Sequence, residues 1–273
     1  MAKTVLITGS SSGIGRETAR AFHDDDWTVY ATARDPATVA DLAERGCETA
    51  ALDVTDEEQV RATVDAVIEE QGRLDCVVNN AGYGQFGPVE DVPTTALHRQ
   101  FDVNVYGPHR VVRAALPHMR EREEGRIVNV SSVAGRVVTP GMGAYAASKF
   151  ALEALTDALR NEIAPYDVEA VLVEPGPVET SFAERANGEL AGVERSGAYE
   201  SVYRLYDDSE VFGGQSPVAI APEQVARTVL EAAVTPDPRA RYPVGGFAEL
   251  SLKARYLPDG ARDTAFGLLN RLV

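Results

Sequence analysis

Tyr145 and Lys149 stand four residues apart in the run YAASKFALEALTDALRNEI, Tyr145 to Ile163. The run reads as one amphipathic helix, and four residues is about one helical turn. Phenol and ammonium therefore project from the same face. The chain holds three Lys against 23 Arg, so a lysine here is a departure from its habit. A free phenol, with a pKa of ~10, is a poor base near neutrality, and a fixed positive charge beside it favours the phenolate. This pair could move a proton on or off an alcohol oxygen. Any amphipathic helix can carry such a pair by chance, so its meaning depends on the elements that position it.

The chain opens with KTVLITGSSSGIGRETARAF. Val5 to Ile7 is a short apolar run of strand type, and a helical pattern continues through Ala19 and Phe22. Between them lies Thr8 to Gly15, with glycines spaced G-x-x-x-G-x-G. A strand, a glycine turn and a helix start form an anion cradle, because the first N–H groups are free and the helix dipole is positive there. Gly9, Gly13 and Gly15 admit a pyrophosphate close to the backbone, with Ser11, Ser12 and Ile14 in the same turn. A flexible loop would share this composition; the flanking strand and helix favour the cradle. The second strand, Thr28 to Ala33, ends at Arg34. An acidic residue at that place bonds the ribose of NAD, whereas a basic one accommodates the phosphate of NADP. The expected cofactor is NADP(H), with NAD(H) as the alternative; Arg16 is a second basic candidate.

Further motifs follow in order: NNAG from Asn79 to Gly82, Asn104 in FDVNVYG, IVNVSS from Ile127 to Ser132, and PGPVET from Pro175 to Thr180. Together with the glycine turn and YxxxK, they resemble the short-chain dehydrogenase/reductase family over residues 3 to about 182. ATARDP and YAASKFALEAL resemble its hydroxysteroid and retinol dehydrogenase-like branch more narrowly. The resemblance implies roles by position. Tyr145 would be the catalytic acid/base, and Lys149 would hold the nicotinamide ribose and lower the Tyr145 pKa. Ser132, thirteen residues before the tyrosine, would bond the substrate oxygen. Asn104 would anchor a water between Lys149 and solvent. Asp53, with Val54 beside it, would bind adenine. Asn79, Ala81 and Gly82 would line the adenosine ribose, and Pro175, Gly176, Val178 and Thr180 the nicotinamide pocket.

Plainer readings stand beside these. Asp53 could cap the helix beginning near Asp56. Asn104 is a poor mid-helix residue by propensity, which favours a special role. Ser131 reads as a structural hydroxyl. His23, His98, His109 and His118 show no metal-ligand spacing, so no metal is expected.

A chain of 273 residues fits one α/β domain and buries enough surface to need no staples. Its two cysteines, Cys47 and Cys76, read as small buried hydrophobes in a reducing compartment. No apolar run reaches the roughly 18 residues of a membrane span, and the N-terminus enters directly into a strand, so a cytoplasmic protein is expected. The net charge of −16 disfavours nucleic acid and anionic membranes as partners. Acidity combined with Arg in place of Lys suggests adaptation to high salt, although a GC-rich genome would also favour Arg.

Predicted strands are Val5 to Thr8, Thr28 to Ala33, Glu48 to Leu52, Cys76 to Asn79, Arg126 to Ser131, Glu169 to Val173 and Arg241 to Val244. Predicted helices fall near 14–24, 37–45, 57–71, 95–120, 143–164 and 222–234. The alternation predicts an α/β, doubly wound parallel seven-stranded sheet, a Rossmann fold with helices on both faces. One domain is expected over residues 1–273, with a substrate lid at about 183–219 and a C-terminal extension at about 245–273. Tyr199, Val202, Tyr203 and Tyr206 form an apolar stripe in the lid, which suits packing better than recognition. Phe266, Leu268, Leu269 and Leu272 form a second short stripe that would close a subunit interface or the pocket, or dock on its own domain.

The expected activity is NADP(H)-dependent interconversion of a carbonyl compound and an alcohol by a homodimer or homotetramer acting on a small molecule. Two alternatives remain at this point. One is a dinucleotide-sensing regulator of the same fold, which intact Ser132, Tyr145 and Lys149 disfavour. The other is an NAD-dependent epimerase-type enzyme, disfavoured by the glycine spacing and the lack of a larger sugar-nucleotide domain.

Overall fold

Seven parallel strands form one sheet in the order β3-β2-β1-β4-β5-β6-β7. They are β1 (Thr4–Ile7), β2 (Thr28–Ala33), β3 (Glu48–Ala51), β4 (Cys76–Asn79), β5 (Gly125–Val130), β6 (Val168–Pro175) and β7 (Arg241–Val244). The computed structural model describes residues 2–207 and 217–264. The order reverses between β1 and β4, which opens a crevice at the strand C-termini where ligands bind in such sheets.

Central strands are apolar on both sides: Thr4 to Ile7 and Cys76 to Asn79 are wholly buried. One face packs against α1 (Gly13–Asp24) and a late helix, Pro222–Val234, around Phe22, Val171 and Val229. The other packs against α3 (Glu57–Gln71) and α5 (Gly107–Arg122) around Leu6, Val64 and Met119. The short α2 (Ala40–Arg45) stops at Gly46, whose φ is 108°. The α6 helix (Gly143–Ile163) carries Tyr145 and Lys149.

The helix predicted over 95–120 is divided. α4 (Thr94–Phe101) passes through a wider π-helical turn, Asp102–Tyr106, before α5 begins. Asn104 lies in that turn, where the i→i−4 register is broken. Over the segment expected to form a lid, the chain forms α7 (Phe182–Ala191) and α8 (Glu200–Asp207). The late helix Pro222–Val234 is α9, and α10 (Gly246–Lys253) follows β7. The stripe from Phe266 to Leu272 lies outside the described residues. No helix among the described residues is long and apolar enough to cross a membrane.

Candidate active site

A cavity of about 1060 Å³ opens at the C-terminal ends of the strands. One end is built by the glycine turn. α1 starts at Gly13 with no acidic residue in its first turn, so its positive end is not neutralised locally. Gly13 has φ +54°, and a Cβ there would lie 2.9 Å from Cγ2 of Thr180. Gly15 is enclosed: its Cβ would meet the Gly9 carbonyl oxygen at 2.3 Å. Backbone can therefore approach a ligand here as side chains could not, and the turn fits a dinucleotide pyrophosphate.

The opposite end is built by β5 and α6. Ser132 follows β5 and accepts the Ala134 N–H at 3.1 Å, which holds it at the start of a short 3₁₀ turn. Its hydroxyl lies close enough to the Tyr145 phenol to favour the phenolate. Lys149 Nζ lies 5.8 Å from the Tyr145 ring centroid and donates to the Val130 carbonyl at 2.9 Å. Burial lowers the Lys149 pKa to about 8, opposed by the charge of Glu153 one turn further along α6. Burial raises the Tyr145 pKa to about 12, and the Ser132 hydroxyl works against it. In the protein alone, desolvation of the phenol thus exceeds any help from Lys149.

Below this end lies a buried charged network. Arg241 Nε donates to Glu153 at 2.9 Å and Nη2 to Asp157 at 2.6 Å, while Arg136 pairs with Glu174 at 3.1 Å. Burial and the nearby Glu153 raise the Glu174 pKa to about 7, against the two arginines. The network braces α6 against the end of β6, immediately before Pro175 and Gly176.

Of the residues expected at the site, Gly9, Ser11, Ser12, Gly13, Ile14, Arg34, Asp53, Val54, Ala81, Gly82, Ser132, Tyr145, Lys149, Pro175, Gly176, Val178 and Thr180 line the cavity. Three do not, and Gly15 is one, lying behind the turn it permits. Asn79 is another: it is the last residue of β4 and donates sideways to Asn129 Oδ1 at 2.8 Å. Asn80 lines the cavity in its place and donates to the carbonyls of Thr8 and Gly9, both at 3.0 Å. Asn104 is the third, 1% exposed and bonded to the backbone of Tyr83 and to Ser148.

Arg34 is exposed at the cavity rim and pairs with no carboxylate among the described residues. Arg16 is already committed: Nη2 donates to Ser11 and Thr38 carbonyls at 2.7 and 2.6 Å and lies 3.5 Å from Asp41. Asp53 forms a local turn with Thr55 at 2.8–2.9 Å, while Asp56 caps α3. Among the described residues no group of three His, Cys, Asp or Glu side chains converges on a metal position.

Sequence reasoning missed the wall above Tyr145. Phe86 and Phe182 stack around its ring at centroid distances of 6.1 and 5.5 Å. Tyr203 and Tyr206 from α8 pack into the same apolar cluster, so the lid stripe serves packing. Tyr203 donates to Asp91 at 2.7 Å and Tyr206 to the Pro140 carbonyl at 2.5 Å. Tyr199 likewise donates to Glu90.

The model of the short chain dehydrogenase family matches residues 3–190. Human 17-beta-hydroxysteroid dehydrogenase type 1 is 39% identical over 259 residues, covering 89% of this chain and 77% of its own length. A short-chain dehydrogenase from Streptomyces avermitilis superposes with a TM-score of 0.83 at 34% identity, over 99% of this chain and 98% of that one. A short chain dehydrogenase/reductase from Burkholderia phymatum, solved in complex with NAD, gives 0.81 at 27% identity over 93% of each chain.

Proposed function

The chain belongs to the short-chain dehydrogenase family and is an oxidoreductase of it, with hydroxysteroid dehydrogenases among its relatives; on that premise we propose that it interconverts a carbonyl compound and an alcohol with NADP(H). The observation that carries this reading is the convergence of Ser132, Tyr145 and Lys149 on one wall of a cavity whose other end is a phosphate cradle.

The bound nicotinamide would supply or accept the hydride. The protein's part is positioning and proton movement. Gly9 to Gly15 and Thr180 would seat the pyrophosphate. Asp53, Val54 and Ala81 would take the adenosine half. The Ser132 hydroxyl would hold the substrate oxygen while Tyr145 Oη donates its proton in reduction, or accepts one in oxidation. Lys149 would hold the nicotinamide ribose and set the electrostatic potential at Oη. Phe86, Phe182 and Met142 line this part of the cavity and would exclude water from the reacting carbon and favour an apolar substrate surface.

Arg34 supports NADP over NAD: among the described residues it pairs with no carboxylate, and it follows β2 at the cavity rim, where the phosphorylated ribose would lie. Solved relatives carry either cofactor: the Burkholderia phymatum protein NAD, and ElxO NADP.

Oxidation of NADPH over a panel of ketones and aldehydes tests the reading. Turnover of at least one carbonyl is expected. Tyr145→Phe should lower kcat by about 100-fold or more while sparing cofactor affinity, since a positioned general acid contributes roughly 10²–10⁴. Retention of most of the wild-type rate by the folded variant would remove Tyr145 from the mechanism.

A further inference from the structure

Arg185 belongs to α7, yet its Nη2 donates to Ser12 Oγ at 2.7 Å, 173 residues away in the glycine turn. The same nitrogen donates to Ser181 Oγ at 2.8 Å. Ser12 is the N-cap residue of α1, but its side chain makes no capping bond to its own helix. The hydroxyl is held by the arginine instead. Thr180, two residues before α7, touches the position of a Cβ on Gly13. The start of the lid therefore lies directly on the phosphate cradle.

Arg185 is also chemically available. Its Nε and Nη1 have no partner among the described residues, and it pairs with no carboxylate there. By contrast, Arg20, Arg45, Arg73, Arg110, Arg126 and Arg241 all meet carboxylates within 3.1 Å, whereas Arg185, like Arg34, reaches the cavity with its charge not neutralised by a carboxylate among the described residues. A planar guanidinium with an open edge beside a helix N-terminus matches a doubly charged phosphate pair better than it matches a hydroxyl.

We propose that Arg185 is a phosphate clamp: it exchanges its neutral Ser12 contact for the pyrophosphate of the bound dinucleotide and so fastens α7 over the cofactor. This rests on the dinucleotide reading above. The pyrophosphate is common to NADH and NADPH, so the clamp serves both, whereas Arg34 addresses only the phosphorylated ribose.

The test is equilibrium titration of the full chain with NADPH and with NADH, followed by protein fluorescence, for wild type, Arg185→Gln, Arg185→Lys and Arg204→Gln. Arg204 lies on α8 outside the cavity wall and controls for loss of one lid charge. Arg185→Gln should raise both Kd values by a similar factor of about ten or more, the scale of a lost charge-assisted hydrogen bond. Arg185→Lys should fall between it and wild type, and Arg204→Gln should stay within about twofold of wild type, as a screened surface charge does. Melting of each protein without cofactor separates lost binding from lost folding. A Kd unchanged in Arg185→Gln, an effect confined to NADPH, or an equal effect from Arg204→Gln would overturn the clamp. Failure of the wild type to bind either nucleotide would instead overturn the dinucleotide reading itself. Should Arg185→Gln melt early, Arg185→Lys decides: a folded protein in which both Kd values rise by a few fold supports the clamp, and wild-type affinity for both nucleotides opposes it.

Discussion

Asn104 and Tyr83 exchange two hydrogen bonds in opposite directions. The Tyr83 N–H donates to Asn104 Oδ1 at 3.1 Å, and Asn104 Nδ2 donates to the Tyr83 carbonyl at 3.0 Å. Nδ2 also reaches Ser148 Oγ at 3.1 Å, on the turn of α6 that carries Lys149. One buried amide thus pins the loop after β4 to α6. The π-helical turn supplies the geometry by opening the helix at Asn104.

Replacing Asn104 with Leu should therefore act first on stability. It strands the Tyr83 N–H in a region nearly closed to water, while the Tyr83 carbonyl keeps Gln100 and the Ser148 hydroxyl keeps the Tyr145 carbonyl. A cost of about 2–4 kcal/mol follows from one orphaned donor and two further lost hydrogen bonds. At about 2–4 °C per kcal/mol for a chain of this size, calorimetry should show a Tm lower by several degrees. An unchanged Tm would show that solvent replaces these contacts without cost.

The lysine offers a pH signature. Its ammonium is favoured below about 8 and lost above it, because burial holds the pKa down from 10.5. The kcat/KM for the cofactor reports groups of the free protein, so it should fall as pH rises through about 8. Glu153→Gln should move that inflection lower, since it removes the carboxylate that favours the charged form. The linkage to stability has the opposite sense. Between about 8 and 10.5 the unfolded chain binds a proton that the folded one does not, so this group's contribution to stability rises with pH across that window. Urea melts at several pH values should show this rise in wild type and its loss in Lys149→Met. A kcat/KM flat to pH 10 would place the lysine outside cofactor capture.

Arg34→Asp should exchange the cofactor preference. The change removes a phosphate partner and adds an acceptor for ribose hydroxyls. Affinity for NADPH is expected to drop by about tenfold or more, the worth of a charge-assisted contact, while NADH binding holds or improves. Dissociation constants at matched, moderate salt decide it. Equal wild-type affinities for the two cofactors would dismiss Arg34 as a determinant.

The acidic surface should make stability depend on salt. The Debye length grows from about 3 Å at 1 M to about 30 Å at 0.01 M, so carboxylate repulsion becomes long-ranged as salt falls. Thermal melts across a potassium chloride series should show Tm rising with salt. A flat series would mark the acidity as ordinary surface charge.

What could be read from the chain followed the distance over which each feature is encoded. The glycine turn and the YxxxK pair are local, and both occupy the cavity as expected. The inner strands β1, β4, β5 and β6 follow from apolar runs that are buried on both faces. Asn79 does not reach the cavity because a strand alternates its faces: the last residue of β4 bonds sideways to β5, and Asn80 after it lines the cavity. The break at Asn104 was hidden because the apolar period continues on both sides of it. α7 was not foreseen, since Gly188 interrupts its pattern and its main polar contact lies 173 residues away. Phe86 and Phe182 meet Tyr145 only after three separate segments have been brought together.

β7 ends the sheet, and its third residue is Pro243. The carbonyls of Ala240 and Val244 face β6, accepting from Leu172 and Gly176, so the odd-numbered backbone groups face outward. Pro243 thus removes a donor from the outer edge, leaving no complete ladder on which an eighth strand could form. This border of the sheet is guarded: a second copy of the chain finds no continuous ladder at β7 on which to extend it.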